Sequence, residues 1–247
     1  MPAAEYLFTM SGFRMATPTV FELSFETEQP LEFLAGQFLS VIVPGAGPGG
    51  KDLRRAYSIA SPPNTKPIQL CIKIVENGPG TSYLSQLRPG IQFKGVAPYG
   101  NFVFKHKPGR HAVFIATGTG VSPFRSISTS KTFQQNLPKS TTLLFGVREE
   151  TELLYVDELS KLSFLKFIPM VSRPTIAPES QKVWTKGRVT DYLRKLGPEY
   201  PWLETDFYLC GNGAMIDEAK SILTANGVQK DSIHQEIYYK PKPGEES

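Results

Sequence analysis

Residues 111–126 read HAVFIATGTGVSPFRS, and this stretch decides the fold. The apolar run from His111 to Ala116 has the length of a buried strand, and Pro123 suits the first turn of a helix. Glycines between a strand and a helix let the backbone approach the phosphates of a dinucleotide. Pro123 stands where the third glycine of the G-x-G-x-x-G fingerprint would be, so the turn is of another type. The predicted dinucleotide-binding residues here are Thr117, Gly118, Thr119 and Gly120.

The chain after this turn alternates between apolar strands and helical patterns. The predicted strands are Thr142–Val147, Phe167–Val171, Asp206–Cys210 and Ile233–Tyr239, and the predicted helices are Tyr155–Leu162, Val189–Leu196 and Ala214–Asn226. Near-continuous apolar strands that alternate with helices indicate a parallel sheet covered on both faces. We therefore predict an α/β domain over residues 110–240, followed by a flexible tail at 241–247.

The chain before this stretch has a different pattern, with short β-rich runs separated by proline and glycine. The predicted strands are Val20–Phe25, Phe38–Val43, Gln69–Val75 and Gly100–Phe104. Short strands with frequent turns favour a barrel or a sandwich. We predict a two-domain fold in which an antiparallel β-barrel over residues 1–104 precedes the α/β domain.

Length and composition fit a protein of this organisation. The 247 residues allow two domains of about 120 residues, each with its own core. The net charge of +4 is small and the basic residues are dispersed, which argues against nucleic-acid binding. No apolar run approaches the ~20 residues of a membrane span, and the N-terminus lacks a signal-peptide pattern. Because Cys71 and Cys210 are too few for a disulfide framework, we expect a cytoplasmic protein. The default expectation for its oligomeric state is a monomer.

Two motifs in the barrel have the chemistry to bind a cofactor. In the strand RRAYSIAS, residues 54–61, alternation places Arg55 and Tyr57 on one face and Ser58 on the other. An arginine beside an aromatic ring can hold a phosphate while the ring covers a planar cofactor. The strand LCIK, residues 70–73, leads to NGPGTS, residues 77–82, where a helix start could bind pyrophosphate. The alternatives are an ordinary strand with a solvated arginine and a plain turn capped by Ser82.

The order of these motifs resembles the ferredoxin–NADP reductase family, in which R-x-Y-S, L-C-I-K, G-T-S and G-T-G-V-S-P-F-R-S follow one another. Further similar segments are Ala97–Gly100, Phe145–Arg148, Glu152–Tyr155, Leu209–Gly211 with Met215, and Glu236–Tyr238. The resemblance spans residues 15–240. It implies that the barrel binds FAD and that the α/β domain binds NAD(P)H. Hydride would pass between nicotinamide and flavin, and electrons would pass singly to a ferredoxin, a flavodoxin or another acceptor protein.

The resemblance also implies roles for residues of the barrel. Arg55 would bind the FAD pyrophosphate with Gly80, Thr81 and Ser82, and the strand Cys71–Lys73 would contact the adenosine. Tyr57 would lie against the isoalloxazine, with Ser58 near its N5 atom. The full set of candidate FAD ligands is Arg55, Ala56, Tyr57, Ser58, Cys71, Ile72, Lys73, Gly80, Thr81, Ser82 and Tyr238.

At the nicotinamide, the resemblance implies that Cys210 lies near the C4 atom and that Glu236 lies beside it. With Ser58 they form the predicted catalytic set; the alternative for Cys210 is a buried thiol that behaves as a small hydrophobe. Tyr238 would stack on the flavin. Because the chain continues beyond it, Tyr239 is an alternative aromatic residue that could cover the adenine.

Recognition of the adenosine 2′-phosphate would fall to Ser172 and Arg173, which follow the third predicted strand. Arginine is the natural bidentate partner of a phosphate. Further cations, Lys182 and Arg188, follow in segments that can be aligned in more than one way. We expect NADP(H) rather than NAD(H).

The sequence also bears on metal sites and on other functions. The three histidines lack metal-ligand spacing and the two cysteines cannot hold an iron–sulfur cluster, so we predict no metal site. Glu149 and Glu150 are interpreted as solvated charges at a helix end. The alternatives to a ferredoxin or flavodoxin reductase are the NADH-dependent reductase component of an oxygenase system and a non-catalytic electron-transfer subunit.

Overall fold

The computed structural model describes residues 2–176 and 183–239. Within them the chain forms two compact units. The first unit runs from the N-terminus to Phe104 and also contains Ser122–Phe133. The second unit contains Lys105–Val121 and the chain from Gln134 onward.

The first unit is a six-stranded antiparallel barrel. Its strands are β1 (Ala4–Thr17), β2 (Val20–Thr27), β3 (Phe38–Val43), β4 (Leu53–Ser58), β5 (Ile68–Lys73) and β6 (Gln92–Tyr99). They lie in the order β4-β3-β6-β1-β2-β5, with every pair antiparallel. The two outer strands meet where Ile59 bridges Leu70 and the Ala60 N–H donates to the Gln69 carbonyl at 2.8 Å. This closure, which leaves few strand edges unpaired, confirms the predicted barrel.

The barrel core is built around phenylalanines that neighbouring strands point inward. Phe8, Phe25 and Phe93 are fully or almost fully buried. Their rings lie 5.0 Å apart edge-on for Phe8 and Phe25, and 5.3 Å apart and stacked for Phe8 and Phe93. Burying one such side chain contributes about 2–3 kcal/mol. The core therefore fixes the register of β1, β2 and β6.

One strand prediction in the barrel is wrong. Gly100–Phe104 is not a strand, although the preceding residues form β6. Its aromatic side chains pack against the helices α2 (Ser122–Thr129) and α3 (Lys131–Gln135) instead. The ring of Phe102 lies 5.6 Å from that of Phe124, and the ring of Phe104 lies 4.7 Å from that of Phe133. The alternating aromatic residues thus reflect packing on helices rather than pairing in a sheet.

Helix α2 is tied to the barrel by polar side chains as well. The Arg125 guanidinium donates to the Ala60 carbonyl at 3.2 Å and to the Gln69 side-chain oxygen at 2.9 Å. The Ser126 hydroxyl donates to the Ser61 carbonyl at 2.7 Å. These bonds satisfy backbone groups at the closure of the barrel, which is why α2 groups with the first unit.

The second unit is a six-stranded parallel sheet with helices, as predicted. Its strands are β7 (His111–Thr117), β8 (Ser140–Val147), β9 (Leu165–Val171), β10 (Thr185–Lys186), β11 (Thr205–Asn212) and β12 (Ile233–Tyr239). They lie in the order β10-β9-β8-β7-β11-β12. The chain moves outward from β7 to β10 and then returns to β11 on the other side of β7. The carboxyl ends of β7 and β11 therefore form the switch point at which such sheets bind ligands.

The helices of the second unit agree with the sequence patterns in two cases out of three. Helix α5 (Val189–Lys195) and helix α6 (Gly213–Ala225) lie where they were predicted. The predicted helix Tyr155–Leu162 is reduced to the single turn α4 (Val156–Leu159). Tyr155, its N-cap, has φ +58°, a left-handed conformation, so the helix begins only at Val156.

A charged network holds the segment that enters the second unit. Asp206, almost fully buried, accepts from Arg110 Nε at 2.7 Å and from Lys107 Nζ at 3.0 Å. Arg110 also donates to the carbonyls of Leu203 and Thr205. Burial raises the pKa of Asp206, but the hydrogen bonds from Arg110 and Lys107 outweigh it and hold this pKa below its usual value. The carboxylate is therefore ionised and paired, which removes the cost of a lone buried charge.

Candidate functional site

The barrel residues predicted to bind FAD lie around the start of helix α1 (Pro79–Gln86). A Cβ atom on Gly80 would lie 2.3 Å from Tyr57 Oη and 3.0 Å from Arg55 Cγ. Arg55 and Tyr57 thus share the face of β4 that meets this helix, as strand alternation predicts. Only glycine at position 80 permits this approach.

Tyr57 supplies an aromatic ring at this face, and Arg55 supplies a positive charge. Burial raises the pKa of Tyr57 to about 12, while the positive charge of Arg55 acts in the opposite direction. The phenol is therefore neutral at physiological pH. Arg55 is exposed, and one guanidinium nitrogen donates to the Arg54 carbonyl at 2.9 Å.

Helix α1 begins earlier than the glycine-rich turn suggests. Its N-cap is Gly78, so Gly80, Thr81 and Ser82 lie in the first helical turn. The Thr81 hydroxyl contacts the carbonyls of Val75 and Gly78, each at 3.1 Å. The first N–H groups of a helix lack intrahelical partners, and the helix dipole favours an anion there. The Thr81 hydroxyl is therefore used within its own loop, and the backbone N–H groups of this turn are the ones suited to an anion.

Closure of the barrel brings the remaining candidates of this unit to the same region. Strand β5 lies beside β4, with Cys71 and Ile72 buried and Lys73 exposed. At the end of β4, Ala56 is exposed and Ser58 is buried. The structure thus brings Arg55, Tyr57 and Gly80 together, and it places Cys71 and Lys73 on the strand that meets the end of β4, whereas Ile72 packs in the barrel core.

In the second unit, two glycine turns interlock at the carboxyl ends of β7 and β11. A Cβ atom on Gly120 would lie 2.4 Å from the Cys210 carbonyl oxygen. Gly211 has φ +128°, and its Cβ atom would lie 2.4 Å from Thr117 Oγ1. The same Thr117 oxygen accepts the Asn212 N–H at 3.0 Å. Thr117 thus supports the turn that carries Cys210, in addition to its predicted place near the cofactor.

The remainder of the glycine-rich turn is open. Gly118 has φ +53°, and no atom lies within 4 Å of the position its Cβ atom would take. Thr119 is half-buried in the tight 3-10 turn Gly118–Val121 that precedes α2. The backbone at Gly118 is therefore accessible to a phosphate group.

Cys210, Glu236 and Tyr238 lie together on β11 and β12. Cys210 is fully buried and pairs in register with Glu236. Burial and the neighbouring Glu236 charge raise the pKa of the Cys210 thiol well above its ordinary value, while a hydrogen bond with the Tyr238 side chain acts in the opposite direction. The thiol therefore stays protonated and neutral, unsuited to act as a nucleophile.

The predicted adenosine-phosphate residues follow strands β9 and β10. The N–H and hydroxyl of Ser172 both donate to the Val147 carbonyl, at 3.0 and 3.2 Å. Arg173 and Arg188 are exposed. The Gly187 N–H donates to the Val171 carbonyl at 2.9 Å, which places Arg188 next to the end of β9. Lys182, the tail at 241–247 and the side chain of Tyr239 lie outside the described residues.

Arg148 joins this group, although the sequence pattern alone does not single it out. It is the first residue after β8, and its carbonyl accepts the Arg173 N–H at 2.7 Å. Exposed arginines thus follow three adjacent strands, β8, β9 and β10. The sequence does show a basic residue directly after an apolar strand. This pattern predicts a phosphate-binding residue only when the order of the strands in the sheet is known.

Comparison with known proteins identifies the family. Two family models match, Oxidoreductase FAD-binding domain over residues 16–104 and Oxidoreductase NAD-binding domain over residues 114–221. Ferredoxin–NADP reductase B of Sorangium cellulosum is 32% identical over 235 residues, which cover 91% of this chain and 94% of that protein. The chain belongs to the ferredoxin–NADP reductase family. This reductase is an oxidoreductase whose cofactors are FAD and a nicotinamide dinucleotide.

Other relatives of the reductase include components of oxygenase systems. Phenol 2-monooxygenase reductase component DmpP of Pseudomonas sp. is 27% identical over 249 residues, which cover 98% of this chain and 68% of that protein. A ferredoxin NADP+ reductase from Neisseria gonorrhoeae, solved with bound FAD and NADP, has the same fold with a TM-score of 0.80 and 21% identity. That likeness covers 95% of this chain and 99% of the other.

The described residues offer neither a membrane-spanning helix nor a metal-binding cluster. No helix among these residues has both the length and the apolar character needed to cross a membrane. Residues 2–176 and 183–239 also contain no group of three or more His, Cys, Asp or Glu side chains placed to hold a metal ion.

Proposed function

We propose that this reductase exchanges a hydride between NADP(H) and FAD, and single electrons with a ferredoxin or a flavodoxin. The observation that supports this most strongly is the grouping of Cys210, Glu236 and Tyr238 beside the interlocked glycine turns of β7 and β11. A small neutral sulfur, a carboxylate and an aromatic ring at a switch point suit a nicotinamide ring better than a polar substrate.

The barrel residues fit FAD. Gly80 lets Tyr57 and Arg55 approach the start of α1 closely, because a Cβ atom there would clash with Tyr57 Oη. Arg55 would hold the pyrophosphate together with the N–H groups of the first turn of α1. The neutral Tyr57 ring would cover the isoalloxazine and Ser58 would hydrogen-bond near it. The strand Cys71–Lys73 would contact the adenosine.

When bound, FAD accepts a hydride and releases its electrons one at a time, which is the chemistry that links the two kinds of partner. The Cys210 thiol, small and uncharged, would allow close approach at the reacting carbon. The Glu236 carboxylate would stabilise the positive charge that develops beside it. Tyr238, which is hydrogen-bonded to the thiol, would stack on the flavin and move aside when a nicotinamide ring approaches Cys210.

The choice of NADP(H) rests on the three arginines Arg148, Arg173 and Arg188. A guanidinium binds a phosphate through two parallel hydrogen bonds, and each charge-assisted bond is worth about 1.5–3 kcal/mol. The adenosine 2′-phosphate that distinguishes NADPH from NADH is the group these side chains would recognise. We infer that Ser172, whose hydroxyl donates to Val147, supports the loop more than it binds the phosphate.

The second candidate function is that of a reductase component in an oxygenase system, which the similarity to the DmpP component favours. Its distinguishing property would be use of NADH and an acceptor other than a free ferredoxin. A non-catalytic electron-transfer subunit is the third candidate.

Dinucleotide-dependent reduction of ferricyanide by the FAD-loaded protein tests these proposals. We expect kcat/KM for NADPH to exceed that for NADH by about tenfold or more, since one phosphate contact is worth that factor. Cytochrome c reduction should then rise on addition of a ferredoxin or flavodoxin. A preference for NADH with no response to either carrier would support the oxygenase component. No ferricyanide reduction with either dinucleotide would leave only the non-catalytic subunit.

Cys210→Ala is expected to slow flavin reduction by roughly hundredfold, because a displacement of the reacting ring by about 1 Å costs that much. FAD should stay bound, since the substitution lies in the second unit and every candidate FAD ligand except Tyr238 lies in the barrel. Stopped-flow absorbance at the flavin band measures the rate, and the ratio of flavin to protein measures retention. A rate near that of the parent protein would exclude a role of the thiol in the reaction.

A further inference from the structure

A pair of hydrogen bonds holds the loop that carries Arg173. Glu150 Oε2 accepts the Thr175 N–H at 3.1 Å, and Glu150 Oε1 accepts the Thr175 hydroxyl. The two residues are 25 positions apart, at the carboxyl ends of neighbouring strands β8 and β9. The bonds from Thr175 hold the pKa of Glu150 below its ordinary value, so the carboxylate is ionised and only accepts. Glu150, interpreted from the sequence as a solvated charge at a helix end, is thus also hydrogen-bonded to Thr175.

A second carboxylate holds the neighbouring arginine in the same way. Glu152 Oε2 accepts the N–H groups of Arg148 and Glu149, at 3.1 and 3.2 Å. The Arg173 N–H in turn donates to the Arg148 carbonyl. The backbone of both arginines is thus fixed by hydrogen bonds, although their side chains are exposed.

We propose that Glu150 is a positioning residue for the recognition of the adenosine 2′-phosphate, acting through Thr175 to fix the loop Ser172–Ile176 that presents Arg173. This inference rests on the proposed NADP(H) specificity. A loop that is ordered before binding loses less conformational entropy when the phosphate binds, and that saving appears as affinity. Glu150 itself does not touch the phosphate.

Charge repulsion and the positioning role predict opposite effects of removing Glu150 on the affinity for a 2′-phosphate. A carboxylate near a phosphate repels it, so its removal alone would strengthen the binding of a 2′-phosphate. If Glu150 acts by holding the loop, its removal weakens that binding despite the loss of a like charge. Whether 2′-phosphate binding becomes weaker or stronger therefore distinguishes a positioning residue from a mere repelling charge.

The experiment measures binding of 2′,5′-ADP to the FAD-loaded protein by calorimetry, with KM for NADPH and NADH as a second readout. Glu150→Ala is expected to weaken 2′,5′-ADP binding about tenfold and to raise KM for NADPH by the same factor. KM for NADH should stay within about twofold of the value for the parent protein. Thr175→Val, which removes only the hydroxyl, should weaken binding about threefold, and Thr175→Ser should retain it. If Glu150 affected only the stability of the protein, its removal would lower the melting temperature and change KM for NADPH and NADH to the same extent.

Asp157→Asn, on the exposed face of α4, is the control for net charge and should leave 2′,5′-ADP binding unchanged or slightly stronger. Unchanged or tighter 2′,5′-ADP binding in Glu150→Ala would overturn the positioning role. Equal losses for NADPH and NADH would overturn it as well. If the parent protein neither binds 2′,5′-ADP nor prefers NADPH, the proposed NADP(H) specificity fails and takes this inference with it.

Discussion

Gly211→Ala is expected to abolish dinucleotide-dependent flavin reduction while FAD stays bound. Gly211 has φ +128°, and a Cβ atom there would lie 2.4 Å from Thr117 Oγ1 and 2.7 Å from the Thr117 carbonyl oxygen. The carbonyl belongs to the central strand β7 and cannot move aside, so the turn after Cys210 must shift. That shift would break the bond from the Asn212 N–H to Thr117 and displace the thiol. We expect kcat/KM for NADPH to fall by at least about a hundredfold.

Gly109→Ala is the matched control for this substitution. Gly109 lies in the same unit and also has a positive φ, +74°, but no atom lies within 4 Å of the position of its Cβ atom. It should cost about 1 kcal/mol of stability for the left-handed backbone and leave kcat/KM within about twofold. Stopped-flow reduction and the flavin-to-protein ratio are measured for both variants. A Gly211→Ala protein with FAD bound and a normal rate would show that the turn does not position Cys210.

Gly80→Ala is expected to release FAD from the barrel. The new Cβ atom would lie 2.3 Å from Tyr57 Oη and 3.0 Å from Arg55 Cγ, so the Tyr57 hydroxyl must move away and the Arg55 side chain must shift with it. Tyr57 is half-buried and has little room to retreat. Loss of an aromatic contact worth about 1 kcal/mol and a charge-assisted bond worth about 2 kcal/mol would weaken FAD binding roughly hundredfold.

Quenching of flavin fluorescence on titration of the apoprotein gives the dissociation constant for this test. Gly12→Ala is the control, because its Cβ atom would meet only the Ser24 side chain, Cβ at 3.5 Å and Oγ at 3.8 Å, which are ordinary contacts. Its FAD affinity should equal that of the parent protein. If Gly80→Ala and Gly12→Ala bind FAD equally well, the assignment of Tyr57 and Arg55 to FAD is wrong.

The elements that the sequence predicted well are those whose pattern depends on local burial. Strand β3 and helices α5 and α6 agree to within about one residue, because continuous apolar runs and caps mark them directly. The long strand β1 was not among the predicted strands. Its register shifts between Met10 and Gly12 and between Met15 and Thr17, which breaks the alternation that marks a strand.

For the candidate site, the ordered motifs predicted which segments of the chain contribute residues, but not the hydrogen bonds between those segments. The sequence predicted a phosphate-binding role for Arg173 but none for Arg148. The two residues become neighbours only through the parallel pairing of β8 and β9. The bonds between Glu150 and Thr175 depend on two loops that meet in space, and no local pattern predicts them. The use of the Thr81 hydroxyl within its own loop likewise follows from the fold of that turn.

Helix α2 has a consequence for how this reductase can be divided or recombined. Its residues follow the dinucleotide turn in the chain, yet they pack on the barrel through Phe124, Arg125 and Ser126. A fragment that stops at Phe104 would expose the ring of Phe102 and leave the carbonyls of Ala60 and Ser61 without these donors. Domain shuffling between reductases of this type must therefore exchange two separate chain segments, so a single crossover at the apparent linker yields an incomplete barrel.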